Sequence, residues 1–551
     1  MLDAAVLGVA TTPTADRRSP VPPAAAWVLS LAFGALLGLA WQPYGVWPLL
    51  LVGVPALTLL VRGASWIRSF GRGWLFGVGM LAVTLSWVHV LGVWVAVLLV
   101  AFEALFFGAL GMALALVGRL RVWPLAAATC WVAVEFAFSR FPFNGFGWVR
   151  LGYAAVDTPL AGYFPLLGVA GVSFVTALAG QLLAWFALSL REHRPASSSG
   201  VRTDRPRRAF APPLASLALL AALVLTGVAA RGYQVEPAAG TRGSVAVGIV
   251  QGNVPGRGVE ALGRARTVTV NQQQETVRLA ERVQRGQEPR PDFVLWPENS
   301  TDIDPTRDPS TAAIVQAASE KIGVPILVGA VMQGPGPEER QTSALWWDPL
   351  GGVEGRYDKR NLVPFGEWIP LRTWLLPRLP VLRRVGAQSV PGTRPGVLRV
   401  SAGGRPLKVG TVLCFELAYD RTVIETLVGG AQVSVVQSNN ATYGGTGQVL
   451  QQFAITRARA MESRREIAVA TTNSISGFVS RDGRVETRTA EFTAASRVVS
   501  MPLRTALTPA MRLGPALNVG LSLAALLFVA AAAHGLHRSR RRVATQRGTR
   551  G

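Results

Sequence analysis

Charged residues are scarce in this chain of 551 residues, and histidine, lysine and cysteine are scarcer still. Only 16% of the residues are charged while 50% are hydrophobic, and the mean hydropathy is +0.32. A composition this apolar excludes a disordered protein and an ordinary soluble one. We therefore expect a membrane protein.

Histidine is absent from a long central part of the chain. The four histidines are His89, His193, His534 and His537, so none lies between residues 231 and 513. This absence excludes Ser-His-Asp and Cys-His catalysis there, as well as a zinc site with histidine ligands. An enzyme in this region needs a carboxylate or a lysine as its base. We expect neither a metal nor a cofactor.

Lysine and cysteine are rare enough to be considered one by one. Against 52 arginines the chain has three lysines and two cysteines: Lys321, Lys359, Lys408, Cys130 and Cys414. A lysine retained where arginine would serve as a cation is a candidate for chemistry that needs a compact ammonium, the alternative being a solvated surface group. A lone thiol in an oxidising compartment is either deeply buried or reactive.

Apolar runs are what the chain has in abundance. Eight of them are candidate membrane spans: 24–41, 47–61, 73–89, 93–117, 123–139, 168–190, 211–230 and 514–533. No small-residue cleavage site follows the first run, so we expect a retained span, with a removed leader as the alternative.

Arginine is distributed unevenly among the loops that join these runs. With a cytoplasmic N-terminus, 19 of the 21 arginines outside 231–513 lie on the cytoplasmic side, and only Arg140 and Arg150 lie outside. The formal charge of +23 is thus concentrated between apolar segments, which indicates a bilayer partner and no nucleic acid. The stretch 195–208, rich in Ser, Pro and Arg, is predicted to be a flexible cytoplasmic loop.

These patterns predict a multi-pass protein of the cell (inner or plasma) membrane with four parts. They are an N-terminal membrane domain with seven transmembrane helices (1–230), an extracytoplasmic catalytic domain (231–513), an eighth transmembrane helix (514–533) and a basic cytoplasmic tail (534–551). Both termini are then cytoplasmic.

The segment 231–513 alternates β-rich runs with helical stretches. Strands are predicted at 245–251, 293–296, 325–331, 344–347, 407–413, 433–437 and 467–471, and helices at 261–285, 310–321, 421–428 and 447–464. The alternation indicates a layered α/β domain with its own core.

Three side chains of different chemistry stand near the ends of predicted elements in this domain. Glu298 ends the strand-like run 293–298, Lys359 lies in the segment 357–367, and Cys414 follows the strand 407–413. Strand ends bring side chains to a common crevice, so we expect a carboxylate, an ammonium and a thiol to meet there. The structural alternatives are a salt-bridge partner, a surface cation and a core thiol.

These segments resemble the carbon-nitrogen hydrolase (nitrilase) superfamily, whose Glu-Lys-Cys triad lies on an α-β-β-α sandwich. With apolar segments on both sides and the run Tyr-Asp-Lys-Arg-Asn-Leu-Val-Pro-Phe-Gly-Glu at 357–367, the chain is similar to the bacterial apolipoprotein N-acyltransferase family over nearly its full length. The run Gly-Phe-Gly-Trp at 145–148 is a further match.

The resemblance implies roles for particular residues. Cys414 is the expected nucleophile, Glu298 the base and acid, and Lys359 a donor to the oxyanion together with a backbone N–H near Phe415. Further supporting or substrate-binding candidates are Glu367, Phe415, Glu416, Trp368, Asn439 and Tyr443. Glu367 either orients Lys359 or is structural.

The resemblance also implies the reaction. An acyl chain passes from a membrane phospholipid to Cys414 as a thioester, and then to the N-terminal amine of diacylglyceryl-cysteine in a lipoprotein. The expected partners are therefore a phospholipid donor, a diacylated lipoprotein acceptor and the bilayer. Two alternatives are a membrane-tethered amidase or nitrilase that uses water, and a non-catalytic scaffold for a lipid-linked glycosyltransferase.

Three further expectations concern the surroundings of the site. Gly147 and the run 440–444 depart from the family pattern, so donor or acceptor preference can differ. The broken apolar segment 368–390 suits an interfacial arm that dips into lipid, with a packed loop as the alternative. Glu135 is expected to pair with Arg140 near the exterior end of the fifth span.

Overall fold

The computed structural model of the protein describes residues 22–192, 211–235, 243–254, 256 and 265–548. The predicted loop 195–208, the N-terminal arginines and positions 261–264 of the predicted helix 261–285 lie outside the described residues.

Apolar helices form the first part of the described chain. They are α1 (Pro23–Gly38), α2 (Leu50–Val61), α3 (Trp66–Thr84), α4 (Val93–Val117), α5 (Trp123–Phe138), α6 (Leu151–Ala154), α7 (Phe164–Glu192) and α8 (Ala211–Ala230). A helix satisfies its backbone hydrogen bonds within itself, which is what an apolar environment demands of such segments.

The later helices are shorter until the end of the chain. They are α9 (Thr267–Gln284), α10 (Pro309–Ile322), α11 (Arg372–Leu375), α12 (Asp420–Val428), α13 (Gly447–Ser463), α14 (Pro509–Leu513) and α15 (Ala516–Gly548). Asp308 caps α10 by accepting from the backbone N–H of Thr311, and Thr446 caps α13 by accepting from that of Gln448.

A helix lies at each of the eight predicted spans, but only some are long and apolar enough to cross a membrane unaided. Four helices in the described chain meet that criterion: Val93–Val117, Pro159–Arg191, Pro213–Ala230 and Ala516–Ser539. Ala24–Gly38, Trp47–Val61 and Trp123–Phe138 are shorter apolar helices. The protein is a membrane protein by this measure, and the count of eight spans stays a prediction.

The third predicted span has different bounds in the structure. Helix α3 begins at Trp66 instead of residue 73, so that it includes Arg72 in its second turn. Arg72 is buried there because its Nη1 donates to the carbonyl of Leu60 at 2.6 Å. A hydrogen bond to a helix carbonyl makes a buried guanidinium tolerable.

Two β-sheets form the central part of the chain. Their strands are β1 (Ser244–Gln251), β2 (Phe293–Leu295), β3 (Ile326–Gln333), β4 (Glu339–Asp348), β5 (Gly352–Asp358), β6 (Gln388–Ser389), β7 (Val397–Ala402), β8 (Arg405–Leu413), β9 (Val433–Ser438), β10 (Ile467–Thr471), β11 (Gly477–Val479), β12 (Val485–Arg488) and β13 (Ala495–Pro502). The orders are β13-β1-β2-β3-β4-β5, with β6 beside β4, and β12-β11-β10-β9-β8-β7.

Each sheet has a parallel centre and antiparallel margins. Strands β1, β2 and β3 are parallel, as are β8, β9 and β10. Parallel strands place their carboxyl ends at one edge of a sheet, and that edge is where polar side chains can converge. The central strands are buried, as expected for parallel strands covered on both faces.

The layers are those of an α-β-β-α sandwich. The sheets pack face to face over apolar side chains such as Phe293 and Trp346 from one and Val409 and Val435 from the other. Helices α9 and α10 cover the outer face of the first sheet. The second sheet is covered by α12 and α13. The sequence-based expectation for this domain is therefore confirmed in architecture.

The outer face of the second sheet also meets the apolar helices. We call the stretch of apolar helices from α1 to α8 the membrane part of the chain. One apolar cluster includes residues of the membrane part, such as Trp87 and Trp148, and residues around α12 and α13, such as Phe415 and Phe453. The layer α12–α13 thus lies between the second sheet and the membrane helices.

Gln451 of α13 is the polar centre of this contact. Its Oε1 accepts from the indole N–H groups of Trp87 and Trp148, each at 2.9 Å. Its Nε2 donates to the carbonyls of Gln42 at 2.7 Å and Thr84 at 2.8 Å. A buried amide with four hydrogen bonds fixes how the helix sits on its neighbours.

Candidate active site

The predicted site residues lie together at the strand-end edge. Cys414 directly follows β8, Lys359 directly follows β5, and Asn439 directly follows β9. Glu298 comes three residues after β2, which ends at Leu295 and is shorter than predicted. The parallel centres of both sheets therefore bring the carboxylate and the thiol to one place.

An ammonium group bridges two carboxylates in the site. Lys359 Nζ donates to Glu298 Oε1 and to Glu367 Oε1, both at 2.8 Å. The second oxygen of Glu298 accepts from the backbone N–H of Asn439 at 3.0 Å. Glu298 is 3% exposed and Lys359 2%, which excludes a surface role for either.

Burial and the neighbouring charges shift the pKa values of Glu298 and Lys359. Burial raises the pKa of Glu298, against the opposing charge of Lys359. Burial alone would lower the pKa of Lys359, but the charges of Glu298 and Glu367 outweigh it and hold that pKa well above the usual range. Lys359 is thus a permanent cation, and Glu298 is a stronger base than an ordinary glutamate.

Cys414 is held in an uncommon backbone conformation. It is the first residue of a 3₁₀ turn, Cys414–Ala418. Its φ of +49° lies in the left-handed region, which residues other than glycine rarely adopt. The residue is half-buried, and its Sγ lies 3.9 Å from Oδ1 of Asn440. Such strain persists only where the surrounding structure enforces it, and it is concentrated at functional sites.

The thiol is protonated at rest. Burial raises the pKa of Cys414 to about 12, and the negative charge of Glu298 raises it further than the positive charge of Lys359 lowers it. At neutral pH almost no thiolate forms spontaneously. A nucleophilic role therefore requires a base beside the sulfur, and Glu298 is close enough for its charge to act on that sulfur.

Glu416 joins the nucleophile's segment to the lysine's segment. It is fully buried, and its carboxylate accepts from the backbone N–H of Leu413 at 2.9 Å and that of Arg360 at 2.7 Å, and from the Tyr357 hydroxyl at 2.8 Å. Burial raises the pKa of Glu416, opposed by these hydrogen bonds. Glu416 therefore links the backbone next to Cys414 with the backbone next to Lys359, an arrangement that suits a positioning role.

Glu367 closes the loop that follows the lysine. Besides the bond to Lys359, its Oε2 accepts from the backbone N–H of Val363 at 2.7 Å. The structure thus supports the orienting alternative for Glu367. Trp368 is half-buried and its ring lies 6.4 Å from that of Phe143.

The arm after Trp368 exposes apolar side chains. Leu371 is 62% exposed and Trp374 is 55% exposed, with the guanidinium of Arg378 stacked 4.7 Å above the Trp374 ring. A packed loop would bury these side chains. The exposure favours the interfacial-arm interpretation, since Trp and Arg together suit a lipid surface.

Aromatic residues from the segments that join the apolar helices reach the site. Phe415 stacks on Phe146 at 5.6 Å and on Trp148 at 5.8 Å, and Tyr443 meets Trp87 edge-on at 5.1 Å. The candidate residues Phe415 and Tyr443 therefore contribute packing to an aromatic wall. Trp87 was missed in the sequence because Tyr443, the candidate residue that it meets, is more than 300 residues away.

A protein metal site is usually built from clustered His, Cys, Asp or Glu side chains. Among the described residues, no group of three or more His, Cys, Asp or Glu is arranged to hold a metal ion.

Comparison with known proteins decides the family. A profile described as "Apolipoprotein N-acyltransferase N-terminal domain" matches residues 33–182, and one described as "Carbon-nitrogen hydrolase" matches 262–506. An apolipoprotein N-acyltransferase of Mycolicibacterium smegmatis is 36% identical over 515 residues, which cover 90% of this chain and 84% of that protein. The chain belongs to the apolipoprotein N-acyltransferase family.

Other members of the apolipoprotein N-acyltransferase family match over similar lengths. That of Methylococcus capsulatus is 31% identical, covering 83% of this chain and 86% of its own. The protein from Azotobacter vinelandii is 28% identical, and the match covers 88% of this chain and 91% of that protein. A solved amidase from Nesterenkonia sp. AN1 aligns at 17% identity and a TM-score of 0.35, over 49% of this chain and 95% of that one.

Membership of the apolipoprotein N-acyltransferase family confirms the resemblance seen in the sequence. The protein is an acyltransferase of the carbon-nitrogen hydrolase superfamily. Neither the amidase nor the scaffold alternative is favoured by these matches.

Proposed function

We propose that this protein transfers an acyl chain from a membrane phospholipid, through a thioester at Cys414, to the N-terminal amine of diacylglyceryl-cysteine in a lipoprotein. The observation that carries the proposal is the group at the strand ends, where Lys359 bridges Glu298 and Glu367 and Cys414 has a strained backbone conformation. The names of the relatives supply the substrate class.

The first half-reaction forms the thioester. Glu298 takes the proton from Cys414 as Sγ attacks the ester carbonyl of the phospholipid, and the carbonyl oxygen becomes an oxyanion. Lys359 and the backbone N–H of Phe415 are the proposed donors to that oxyanion, each worth roughly 3 to 4 kcal/mol. Collapse breaks the C–O bond, and Glu298 returns the proton to the leaving alcohol, a lysophospholipid.

The second half-reaction transfers the chain. The α-amine attacks the thioester carbonyl, Glu298 takes a proton from the attacking nitrogen, and the same donors hold the new oxyanion. The C–S bond then breaks, the sulfur recovers the proton, and an amide is formed. The stacked rings of Phe415, Phe146 and Trp148 give the residue next to Cys414 apolar surroundings, which suit a lipid acyl chain better than water.

We also propose that the site faces the outer leaflet. The loop between α5 and α6 supplies Phe143, Phe146 and Trp148 to the surroundings of the site. It is the loop that carries Arg140 and Arg150, the two arginines on the predicted exterior. The extracytoplasmic domain 231–513, the seven spans of 1–230, the eighth at 514–533 and the cytoplasmic tail 534–551 follow from the same arginine distribution.

Transfer of a labelled acyl chain tests the proposal. The purified full-length enzyme in detergent is incubated with a phospholipid labelled in its acyl chains, with Cys414→Ala as the variant and Cys130→Ser as the matched control. Cys130 is the other cysteine and lies buried in α5. Label cleavable by neutral hydroxylamine is expected on the wild type and on Cys130→Ser, and none on Cys414→Ala.

The acceptor step is tested by adding a diacylated lipopeptide. The label is expected to leave the enzyme and to appear as an amide on the lipopeptide. Label that persists in Cys414→Ala overturns the nucleophile. Release of free fatty acid at a rate unaffected by the lipopeptide overturns the transfer and supports the hydrolytic alternative.

A further inference from the structure

The segment that follows Cys414 is held at three successive residues, two through their backbone carbonyls and one through its side chain. The carbonyl of Leu417 accepts from Nε of Arg459 at 2.8 Å, and that of Ala418 accepts from the hydroxyl of Tyr153 at 3.4 Å. The hydroxyl of Tyr419 donates to the carbonyl of Gly145 at 3.2 Å. Two of these three contacts come from the membrane part of the chain, so the turn that carries the nucleophile is not supported by the α/β domain alone.

A buried ion pair continues this contact. Arg150 is 2% exposed, and its Nη1 donates to both carboxylate oxygens of Asp420, at 2.7 and 2.9 Å. Asp420 is the first residue of α12 and lies two residues after the Cys414–Ala418 turn. The other partner of Arg150 is Glu135, at 3.6 Å. The expected pairing of Glu135 with Arg140 is therefore wrong, since the Arg140 guanidinium stacks 3.8 Å over the Phe136 ring instead.

A second arginine holds the same aspartate from the α/β domain. Arg459 Nη2 donates to Asp420 at 2.8 Å and to the Tyr153 hydroxyl at 3.0 Å, and its Nη1 donates to Glu462 at 2.7 Å. Burial alone would raise the pKa of Asp420, but the two arginines outweigh it and hold that pKa far below its usual range. The two arginines therefore hold Asp420 in its ionised form.

The membrane helices anchor the far ends of this network. Glu135 of α5 accepts from the backbone N–H of Leu151 at 2.7 Å, and Glu462 accepts from that of Val169 at 3.0 Å. The second contact is made at a kink in α7, where Gly168 has φ of +67° and a Cβ would lie 2.5 Å from the Glu462 carboxylate. The network thus runs from α5 and α7 to the turn of the nucleophile.

We propose that Arg150 is a positioning residue of the acyl transfer, through which the membrane helices fix the Cys414–Ala418 turn in its reactive orientation. A buried ion network is weak support for stability alone, because desolvation of the charges offsets their attraction. The strained φ of Cys414 needs neighbours that enforce it, and the network supplies them. Only the acylation readout of this inference rests on the proposed function.

The test compares two ion pairs that both join the membrane part to the α/β domain. Arg150→Gln removes the pair described above. Asp157→Asn is the matched control, because Asp157 pairs at 2.6 Å with Arg457 of α13 at a partly exposed position away from the turn. Full-length protein is used in detergent, in a Cys130→Ser background so that Cys414 is the one thiol available.

Two readouts are measured for each variant. In Arg150→Gln the kcat of acylation by phospholipid is expected to fall about 10²-fold, because a misplacement of reacting groups by about 1 Å reduces the rate by that factor. The KM is expected to change less than about twofold. The rate of Cys414 alkylation by iodoacetamide is expected to rise, with its pH profile moved to lower pH, because a released turn is less buried and lies farther from Glu298. In Asp157→Asn the kcat of acylation and the rate of Cys414 alkylation are both expected to stay within about twofold of the parent.

Folding is checked by size-exclusion chromatography and thermal unfolding. A folded Arg150→Gln variant with unchanged kcat and unchanged alkylation overturns the inference. Should that variant not fold, Tyr153→Phe decides, since it removes one hydroxyl from the network: a fall in kcat with unchanged KM supports the inference, and an unchanged kcat overturns it. Alkylation needs no lipid, so the inference is testable even if the wild type forms no thioester.

Discussion

Replacing Glu298 by glutamine tests two roles of this carboxylate. One is removal of the proton from Cys414, and the other is the effect of its negative charge on the pKa of Cys414. The amide has nearly the same shape, and its oxygen can still accept from Lys359, which keeps its bond to Glu367. The amide N–H₂ then meets the backbone N–H of Asn439, and the lost hydrogen bond costs about 1 to 3 kcal/mol. A cost of that size is expected to leave the protein folded. The variant loses the group that removes the proton of Cys414, whose pKa of about 12 prevents it from ionising unaided.

The expected effect on rate is large. General-base catalysis contributes about 10²- to 10⁴-fold, so acylation is expected to slow by that factor, which is about 3 to 5 kcal/mol of activation free energy. The thiol itself responds in the opposite sense. The negative charge of Glu298 raises the pKa of Cys414, so its removal lowers that pKa.

Two pH profiles measure these effects. The rate of thioester formation in the wild type is expected to fall on acidification, as Glu298 becomes protonated, and to do so at a higher pH than for an ordinary glutamate because burial raises its pKa. That acid limb is expected to disappear in Glu298→Gln, while alkylation of Cys414 moves to lower pH. Unchanged acylation in the variant, or alkylation that moves to higher pH, refutes the assignment of Glu298 as the base.

Two further substitutions test the rest of the group. Lys359→Met removes an oxyanion donor and leaves two buried carboxylates unpaired, so acylation is expected to fall at least about 10²-fold and the free energy of unfolding by about 3 to 5 kcal/mol. Chemical denaturation and the thioester assay measure both, and a stable, active variant contradicts the role of the bridge. Glu416→Gln places an amide N–H₂ against the backbone N–H of either Arg360 or Leu413, which donate to different oxygens of Glu416, and the donor left unpaired costs about 1 to 3 kcal/mol. A lower unfolding temperature and slower acylation are expected, and normal values for both contradict the positioning role.

The sequence was most informative where local pattern and chemistry coincide. Apolar runs end directly before Cys414 and near Glu298, so the parallel strands β8 and β2 and the edge that they share were predictable. The scarcity of lysine drew attention to Lys359 for a reason independent of any strand. Glu367 was left open between two roles because its bond to Lys359 depends on how the loop closes.

Other features depend on contacts between distant parts of the chain. Strands β5 and β12 escaped prediction because their residues are largely polar and exposed, which hides the period of a strand. Glu135 pairs with Arg150 and not with Arg140. The Arg150 guanidinium is buried next to Glu135 because it also binds Asp420, which is far away in the sequence. Gln451 gave no signal, since a glutamine in a helix is ordinary until its four partners are known.

The central claim is that the three side chains at 298, 359 and 414 act together on one acyl group. Mass spectrometry of peptides from the wild-type enzyme, incubated with phospholipid and no acceptor, tests it most directly. We predict one acyl chain on the peptide that contains Cys414, absent when Glu298 or Lys359 is replaced and lost when a diacylated lipopeptide is added. An unmodified Cys414 peptide, or an acyl chain on another residue, contradicts the claim.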